Sequence, residues 1–383
     1  MSFIKRLVQT QCATNSIYLF EVVLRSLAVF LNPILSLYRF IKVRRIGKLA
    51  SHWRFCSEMD VEQLAHPVIR RSQQGSFELR LVNHAYGHAR VLKSYVGLPD
   101  IYPIKVCYDH GVSGSCFGFD PQLPPIRTYD FRIPVFLAWG NHYKEMMKKY
   151  RPENTVFVVG TPFLYAENLF SETYIRREKE RLGRNLIVFP AHSTRSTEAD
   201  YDTEKFASDI RSHAKDFDSI RICLYFKDVQ AGVHKDYMNY GFECVCAGQY
   251  LDYNFISRLK GILSISDAVL TNSIGSHIGY GIAMDKPVFF LDMDVFFHVS
   301  GGDARTRSYY KNYLDYVVPD FKKIASVLAT NHDWAITEEH KSVIEPFWGL
   351  NEKKTKEELS DIFFEAEKLF EKSPYRHNFL TFR

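Results

Sequence analysis

The chain lacks most of the features that mark specialised protein classes. Its 383 residues carry a formal net charge of only +5, with acids and bases interleaved, so nucleic-acid binding is not indicated as the main activity. Its seven cysteines show no CxxC spacing, which argues against a disulfide framework or a zinc site and favours a reducing cytosol. No internal repeat or low-complexity tract is visible. With 46% hydrophobic residues, the sequence indicates a globular protein long enough for two domains of roughly 100–200 residues each.

Long apolar runs are also scarce. The uncharged segment Ser26–Tyr38 lies between Arg25 and Arg39, and it falls short of the about 20 apolar residues that a spanning helix needs. A basic cluster follows it: Arg39, Lys42, Arg44, Arg45 and Lys48. This pattern predicts a segment that lies on anionic lipid at the inner face of the cell membrane. The alternative is a helix packed on the first domain. No small-residue cleavage site follows, so a signal peptide is not expected.

After residue 54, short apolar runs alternate with helical stretches, which predicts an α/β architecture. The candidate strands of the first half are Glu78–Val82, Ile104–Tyr108, Pro134–Trp139 and Thr155–Val159. Those of the second half are Asn185–Phe189, Ile220–Phe226, Phe242–Cys246, Ala268–Thr271 and Pro287–Leu291. The second set is apolar on both faces, as parallel strands covered by helices should be.

Helices are predicted between and after these strands. Tyr253–Ile265 has apolar residues at helical spacing, and the charged segment Ser171–Arg184 is interpreted as a linker between the halves. The C-terminal segment Asn351–Lys372 is an amphipathic helix. We therefore divide the chain into a membrane-associating segment (1–50), an acceptor-side Rossmann-like domain (51–175), a donor-binding Rossmann-like domain (176–335) and C-terminal helices that pack back on the first domain (336–383).

The most informative stretch is Ser266–Leu291. A strand ending at Thr271 is followed by a polar, glycine-containing turn and by a helix that starts near Ser276 or His277. Backbone N–H groups at such a helix start, with the helix dipole, favour a phosphate or diphosphate, and serine hydroxyls can add donors. The alternative is that Ser276 only caps the helix and that Gly275 only permits the turn.

This block resembles the donor-binding half of GT-B glycosyltransferases. The matching elements are Asp267, the strand Ala268–Thr271, the turn Asn272–Ser276, the helix segment Gly279–Met284 and Lys286-Pro287-Val288. The resemblance covers the second half of the chain better than the first. It implies a GT-B fold, in which two Rossmann-like domains face each other across a cleft, and a nucleotide-activated sugar at the carboxyl edge of the second sheet.

On this resemblance, several loops of the second half would meet the donor. A histidine, arginine or lysine there can neutralise a diphosphate leaving group without a metal, and His192 and Lys227 are the favoured candidates. His192 could instead bond only to local backbone. The full predicted donor site is His192, Ser193, Thr194, Lys227, Gly248, Asn272, Ser273, Gly275, Ser276 and His277.

In the first half, Asp109 and His110 follow a candidate strand and precede a glycine-containing loop. An inverting transfer needs a group that removes a proton from the acceptor hydroxyl, and a histidine with a near-neutral pKa suits that step. We predict His110 as the general base, with Asp109 as its orienting partner or as the base itself.

Two weaker resemblances leave the donor class open. His110-Gly111 after a strand is similar to an element of the CDP-glycerol glycerophosphotransferase group, which would imply a polyol-phosphate donor. Asp109–Gly111 and His192 also resemble, loosely, the base and donor elements of bacterial sialyltransferases, which would imply a CMP-activated acid sugar such as sialic acid or Kdo. Serine follows His192 where that family has proline, which weakens the match.

Two motifs imitate metal sites. His84 and His88 stand four residues apart, as zinc ligands on a helix do, but Gly87 weakens the helix and no third ligand is near. Asp292-Met293-Asp294 imitates the Asp-x-Asp motif of the GT-A fold, but it follows the helix and strand of the predicted phosphate site, where GT-A topology would not put it. No metal and no other cofactor is therefore predicted.

The sequence thus favours a metal-independent, inverting glycosyltransferase of bacterial capsule or lipopolysaccharide synthesis. Its partners would be a nucleotide-sugar donor, a glycan or lipid-linked acceptor and the membrane surface. A non-catalytic assembly or regulatory protein of the same shape is the alternative of another class, and a sugar-nucleotide epimerase is a third. The nucleotide base, the sugar, the acceptor and the linkage depend on loop side chains and stay open.

Overall fold

A computed structural model describes residues 61–65, 78–79, 81–100, 102–108, 111–112, 132–194, 197–299 and 319–374. The predicted membrane-associating segment lies outside these residues. So do His110, the predicted general base, and its predicted partner Asp109. Within them, no helix is long and apolar enough to cross a membrane.

The second half of the chain forms a five-stranded parallel sheet. Its strands are β4 (Asn185–Phe189), β6 (Ser219–Leu224), β7 (Glu243–Cys246), β8 (Ala268–Thr271) and β9 (Val288–Phe290), in the spatial order β7-β6-β4-β8-β9. All residues of β4 and β8 are buried, as their continuous apolar sequence requires. This order is that of a Rossmann-like half, and the direction of strand addition reverses between β4 and β8.

Helices cover both faces of this sheet. They are α5 (Thr203–His213), α6 (Phe226–Ala231), α7 (Val233–Asn239), α8 (Phe255–Ile265), α9 (Ser276–Ile282) and α10 (Pro319–Ala329). A buried stripe of α8 comprises Ile256, Leu259 and Leu263, residues at the three- and four-residue spacing of one helix face. The carboxylate of Asp202 caps α5 by accepting from the backbone N–H of Lys205 at 2.8 Å.

The first half contains a three-stranded parallel sheet in the described residues. Its strands are β1 (Cys107–Tyr108), β2 (Val135–Ala138) and β3 (Thr155–Val158), in that spatial order. The helices near this sheet are α2 (His88–Val96), α3 (Asn141–Tyr150) and α4 (Glu172–Leu182), with 3-10 turns at Leu81–Gly87 and Pro162–Tyr165. The earlier helix α1 (Val61–Ala65) packs instead on α6 and β7 of the second half. The predicted α/β class with parallel sheets is therefore confirmed.

Three predicted strands are wrong in part, and one of them, Ile104–Tyr108, is a strand only at Cys107–Tyr108. The described residues of the predicted strand Glu78–Val82 form no strand, because the Glu78 carboxylate pairs with Lys93 at 2.6 Å and accepts from the backbone N–H of Ile104, and a 3-10 turn begins at Leu81. The strand predicted to reach Phe226 ends at Leu224, since the carbonyl of Tyr225 accepts from the N–H of Asp228 and starts α6.

An antiparallel pair of strands was not predicted. β5 (Thr197–Asp200) pairs antiparallel with β10 (Phe296–Val299), with Phe296 opposite Asp200 and Val299 opposite Thr197. Glu198 and Asp200 on β5 are exposed. The short polar sequence of β5 therefore carries no strand signal, and its partner lies almost a hundred residues away in the chain.

The two sheets share one continuous apolar cluster, which includes Leu137 of β2 and Val269 of β8. The rings of Phe163 and Tyr280 stack across the boundary with centroids 4.3 Å apart. The predicted boundary at residues 175 and 176 falls within α4, which packs on α8. The halves are thus joined by a packed interface along this side.

The C-terminal helices lie against both halves. α11 (Glu338–Trp348) contacts α10, α3 and α9, and α12 (Lys356–Lys372) contacts α2 and β2. The Tyr102 hydroxyl donates to Glu367 of α12 at 2.6 Å. The fully buried Trp348 donates its indole N–H to the carbonyl of Ser276 at 3.0 Å, so α11 supports the first residue of α9.

We predict that Gly279→Ala destabilises the protein. At an unobstructed helix site this change would stabilise by about 1 kcal/mol, but a Cβ at Gly279 would overlap the indole of Trp348. Overpacking of this kind costs about 1–3 kcal/mol. Denaturant unfolding of wild type and variant measures the difference, and the loss should shrink in a Trp348→Leu background. An equal loss in both backgrounds would contradict the contact.

Candidate functional site

Polar loops follow three neighbouring strands at the carboxyl edge of the five-stranded sheet. They comprise residues 190–194 after β4, residues 225–228 after β6 and residues 272–276 after β8. Since β6, β4 and β8 are adjacent and parallel, these loops meet at one edge. The reversal between β4 and β8 makes this edge the place where open α/β sheets bind ligands.

The loops after β4 and β8 are tied together by a buried amide. Asn272 is 3% exposed, and its Oδ1 accepts from the backbone N–H of Ala191 at 2.6 Å. Its Nδ2 lies 3.2 Å from the sulfur of Met293. Thr271 adds a second link, because its hydroxyl donates to the carbonyl of Phe189 at 2.8 Å. Asn272 therefore positions the two loops, and its predicted role in donor binding stays a prediction.

His277 packs under the loop after β4. Its ring stacks on Phe189 with centroids 4.7 Å apart, and its Nε2 lies 2.9 Å from the hydroxyl of Thr271. Burial, together with the neighbouring His192, lowers the pKa of His277 to about 3. A Cβ on Gly275 would lie 2.8 Å from the His277 ring, so Gly275 makes room for that ring. Its φ of −159° is ordinary extended backbone.

Ser276 connects the two halves. Its Oγ accepts from the backbone N–H of Val112 at 3.0 Å, two residues after His110 in the chain. Gly111 lies beside the same oxygen, since a Cβ there would come within 3.2 Å of it. The segment that follows the predicted base thus reaches the start of α9, next to the buried Ser273 and the loop after β8.

A second connection between the halves involves tyrosines. Tyr86 has a left-handed backbone (φ 56°) and donates its N–H to the carbonyl of Tyr250 at 2.7 Å. Its hydroxyl lies 3.4 Å from that of Tyr225. The Tyr225 ring in turn lies 4.5 Å from the ring of the exposed His192. Tyr86, from the first half, therefore supports the loop that carries His192.

A buried carboxylate that the sequence analysis did not single out lies beside these loops. Asp228 is 5% exposed, and its Oδ1 accepts from the backbone N–H of Ser193 at 3.1 Å. Burial raises the pKa of Asp228, while the positive charge of His192 and hydrogen bonds from Ser193 oppose that rise. The sequence could have indicated Asp228 only by its position directly after Lys227, in the first turn of α6. An acid at such a position is more often exposed to solvent.

A cleft of about 390 Å³ opens next to this carboxylate. Its lining includes three of the predicted donor residues: Ser193, Thr194 and Lys227. The remaining lining includes three acids, Asp228, Glu198 and Asp200. The other lining residues are Ala191, Ala199, Tyr201, Thr203, Ala231 and Val233. Ser193, Thr194 and Lys227 therefore share a cleft, whereas His192 is not part of its lining and the predicted residues after β8 lie at the neighbouring switch point.

Gly248 has a different setting from the other predicted donor residues. It is buried with a φ of +105°, and a Cβ there would lie 2.5 Å from Oδ2 of Asp252 and 2.7 Å from Nη1 of Arg258. Asp252 and Arg258 form a buried ion pair at 2.5 Å. The close approach to this pair explains a glycine here on structural grounds, and donor binding by Gly248 stays a prediction.

The two motifs that imitate metal sites differ in burial. His84 and His88 are both buried and face aromatic rings, Tyr253 at 4.3 Å from His84 and Trp139 at 5.9 Å from His88. Asp292 and Asp294 are exposed beyond the end of β9. In the part of the chain that the structure describes, no group of three histidine, cysteine or acidic side chains is arranged to hold a metal ion.

Comparison with known proteins gives only distant likenesses. No protein-family model matches the sequence, and no curated protein matches it. Among solved structures, the wall teichoic acid polymerase TagF is similar at 12% identity and a TM-score of 0.36, over 62% of this chain and 58% of that one. This chain therefore spans less than two thirds of the polymerase chain.

Two other solved structures align with this chain over a larger share of their own length. Arabidopsis thaliana UGT89C1 complexed with UDP-L-rhamnose is similar at 10% identity and a TM-score of 0.35, over 79% of this chain and 83% of that one. The UDP-GlcNAc 2-epimerase from Neisseria meningitidis, bound to UDP-GlcNAc, is similar at 12% identity and a TM-score of 0.32, over 67% and 80%. At these values the likenesses do not bear on what this chain does.

We predict that His84 makes the protein less stable in mild acid. Burial, together with the positive charge of Lys93, lowers its pKa to about 4, whereas an unfolded histidine titrates near 6.5. The unfolded state therefore binds a proton first, and stability is lost as the pH falls from about 6.5 towards 4. At pH 5 the loss is about 2 kcal/mol (1.5 pH units at 1.36 kcal/mol each).

Denaturant unfolding at pH 7 and pH 5 measures this loss. His84→Gln should lose about 2 kcal/mol less than wild type between the two values, because glutamine does not titrate. Val91→Ala, a truncation of a buried residue on α2, is the matched control and should lower stability equally at both. Equal pH losses in His84→Gln and wild type would refute the assignment.

Proposed function

We propose that this chain is a GT-B glycosyltransferase that moves a sugar from a nucleotide-activated donor to a glycan or lipid-linked acceptor in bacterial surface polysaccharide synthesis. The observation that carries the proposal is the switch point of the five-stranded sheet. Polar loops after β4, β6 and β8 meet there, and the hydrogen bond from Val112 to Ser276 brings a loop of the first half to the same edge.

In this proposal the donor lies over the loops after β4, β6 and β8. His192 is exposed and Lys227 is partly exposed in those loops. Their charge and hydrogen bonds would stabilise the diphosphate as it leaves, which requires no metal. Asn272 and His277, which are packed against their neighbours, would hold the loops in place for that contact.

The acceptor would approach from the first half. His110 would remove the proton from the attacking hydroxyl, with Asp109 orienting its ring, and the sugar would be transferred with inversion. Val112, two residues further on, contacts Ser276, which supports placing the acceptor group next to the donor. Residues 1–50 would hold the enzyme on the inner face of the membrane, close to a lipid-linked acceptor.

The first experiment is a thermal-shift screen of purified protein against CMP, CDP, UDP, GDP and dTDP at millimolar concentration. A ligand that binds only the folded state stabilises it, by about 2.7 kcal/mol at a hundred times its Kd. We expect nucleotides of one base to raise the Tm, which would name the donor class. A CMP response would indicate a sialic-acid or Kdo donor. No shift with any nucleotide would favour the non-catalytic alternative.

We also predict that His110→Ala abolishes transfer while nucleotide binding survives. A general base contributes a factor of about 10²–10⁴ to the rate, so turnover should fall at least a hundredfold with an unchanged thermal shift. His332→Ala, at an exposed position far along the chain, is the control. Near-normal turnover in His110→Ala would remove His110 from the mechanism, and nucleotide-sugar turnover without any acceptor would favour an epimerase.

A further inference from the structure

The short helix α1 precedes the first half in the chain but packs on the second half. Val61, Leu64 and Ala65 are buried, and they belong to an apolar cluster whose other members all lie between residues 186 and 334. Isolated helices shorter than about 12–15 residues are marginal in water. The five residues of α1 therefore depend on this contact for their helical structure.

Two glutamine side chains of the second half donate to the last carbonyl of α1. Nε2 of Gln230 lies 2.8 Å from the carbonyl oxygen of Ala65, and Nε2 of Gln249 lies 3.1 Å from the same oxygen. The last carbonyls of a helix have no partner within the helix. Because Ala65 is fully buried, its oxygen requires donors from elsewhere. The two amides can occupy both of its lone pairs.

The two glutamines come from different segments at the carboxyl edge of the sheet. Gln230 lies in α6, one turn after Lys227, and Gln249 follows Gly248 in the loop after β7. The strands β6 and β7, which these segments follow, are parallel neighbours. The carbonyl of Ala65 therefore links the segment after β6 to the loop after β7. Each of the two carries a predicted donor residue.

An ion pair adds a third polar contact to α1. Oε1 of Glu62 lies 3.0 Å from Nε2 of His234 on α7. The His234 side chain is buried, but that of Glu62 is 57% exposed, and ion pairs with such an exposed partner contribute little to stability. The burial of Leu64 and the two hydrogen bonds to Ala65 are thus the main attachments of α1.

We infer that α1 is a strap, and that its Ala65 carbonyl holds the segments after β6 and β7 in position relative to each other. Gln230 and Gln249 are then positioning residues for the donor site. The inference rests on the proposed function for the ligand of that site, but the link between the two segments is independent of it. A helix from before the first half thus completes the second half.

Amide hydrogen exchange of the full chain, followed by mass spectrometry, tests the link without any ligand. Gln230→Met and Gln249→Met keep the approximate length and bulk of each side chain but remove its donor. Each single change should speed exchange both in residues 225–230 and in residues 247–252, because it breaks the link between them. The expected factor is about fivefold, which corresponds to one hydrogen bond of about 1 kcal/mol.

The exchange experiment has two comparison variants. Asn239→Ala removes an exposed amide from α7 and is the matched control, so both segments should exchange as in wild type. Leu64→Ala removes a buried side chain of α1 and should speed exchange in both segments. Faster exchange only in the segment that carries the glutamine substitution would overturn the strap, and so would unchanged exchange in both segments.

Isothermal titration calorimetry with CMP, CDP, UDP, GDP and dTDP tests the positioning role. Each single glutamine variant should weaken binding of the nucleotide that wild type prefers by about fivefold, and the double variant should weaken it no further, because the same link is broken in all three. Losses that add in the double variant, or affinities equal to that of wild type, would refute the positioning role.

A stability control separates positioning from general destabilisation. Ile210→Val shortens a buried side chain on α5 in the same apolar cluster, so it should lower the Tm and leave nucleotide affinity unchanged. If wild type binds none of the five nucleotides, the proposed function fails and the positioning role fails with it. The exchange rates then still decide whether α1 links the two segments.

Discussion

The amide of Asn272 holds the arrangement on which the candidate site depends. It accepts from the backbone of Ala191 at 2.6 Å, and so it joins the loops after β4 and β8 at the point where strand order reverses. A buried amide is strongly directional, because leaving either partner without a hydrogen bond costs on the order of 1–3 kcal/mol. The stacking of His277 on Phe189 and the hydroxyl of Thr271 reinforce the same junction.

The helix that follows this junction also connects the two halves. The carbonyl of Ser276 accepts from Trp348, its hydroxyl accepts from Val112, and Tyr280 stacks on Phe163. One short helix thus contacts the C-terminal helices and the first half. Because α9 has a glycine where it meets the indole of Trp348, the approach is close and leaves little freedom to shift. Loops of the two halves are therefore positioned relative to each other by packing.

Buried charge is distributed unevenly around this framework. Glu78 pairs with Lys93 in the first half, and Asp252 pairs with Arg258 next to Gly248. Both pairs lie inside the molecule, where an unpaired charge would be strongly destabilising. Asp228 differs, because burial raises its pKa and one of its oxygens keeps no partner in the described residues. Perturbed acids that line a cleft are characteristic of functional sites.

Local sequence pattern was sufficient for the central sheet. Asn185–Phe189 and Ala268–Thr271 have the bounds predicted for them, since strands buried on both faces require continuous apolar residues bounded by polar turns. The amphipathic pattern likewise predicted α8 and α12. It did not predict the pairing of β5 with β10, because the short polar β5 has no such signature and the register of the pair is set by contacts distant in sequence.

Residue chemistry by itself determined which loops carry polar and cationic side chains, and the order of strands along the chain indicated an α/β sheet. Only the tertiary structure decided what those side chains do. In the structure, Asn272 binds the backbone of a neighbouring loop and His277 stacks on a neighbouring ring. Gly248 lies beside a buried ion pair, and one oxygen of Asp228 has no hydrogen-bond partner in the described residues. Whether a side chain is buried and hydrogen-bonded depends on neighbours from distant parts of the chain. Those neighbours cannot be identified from a single sequence.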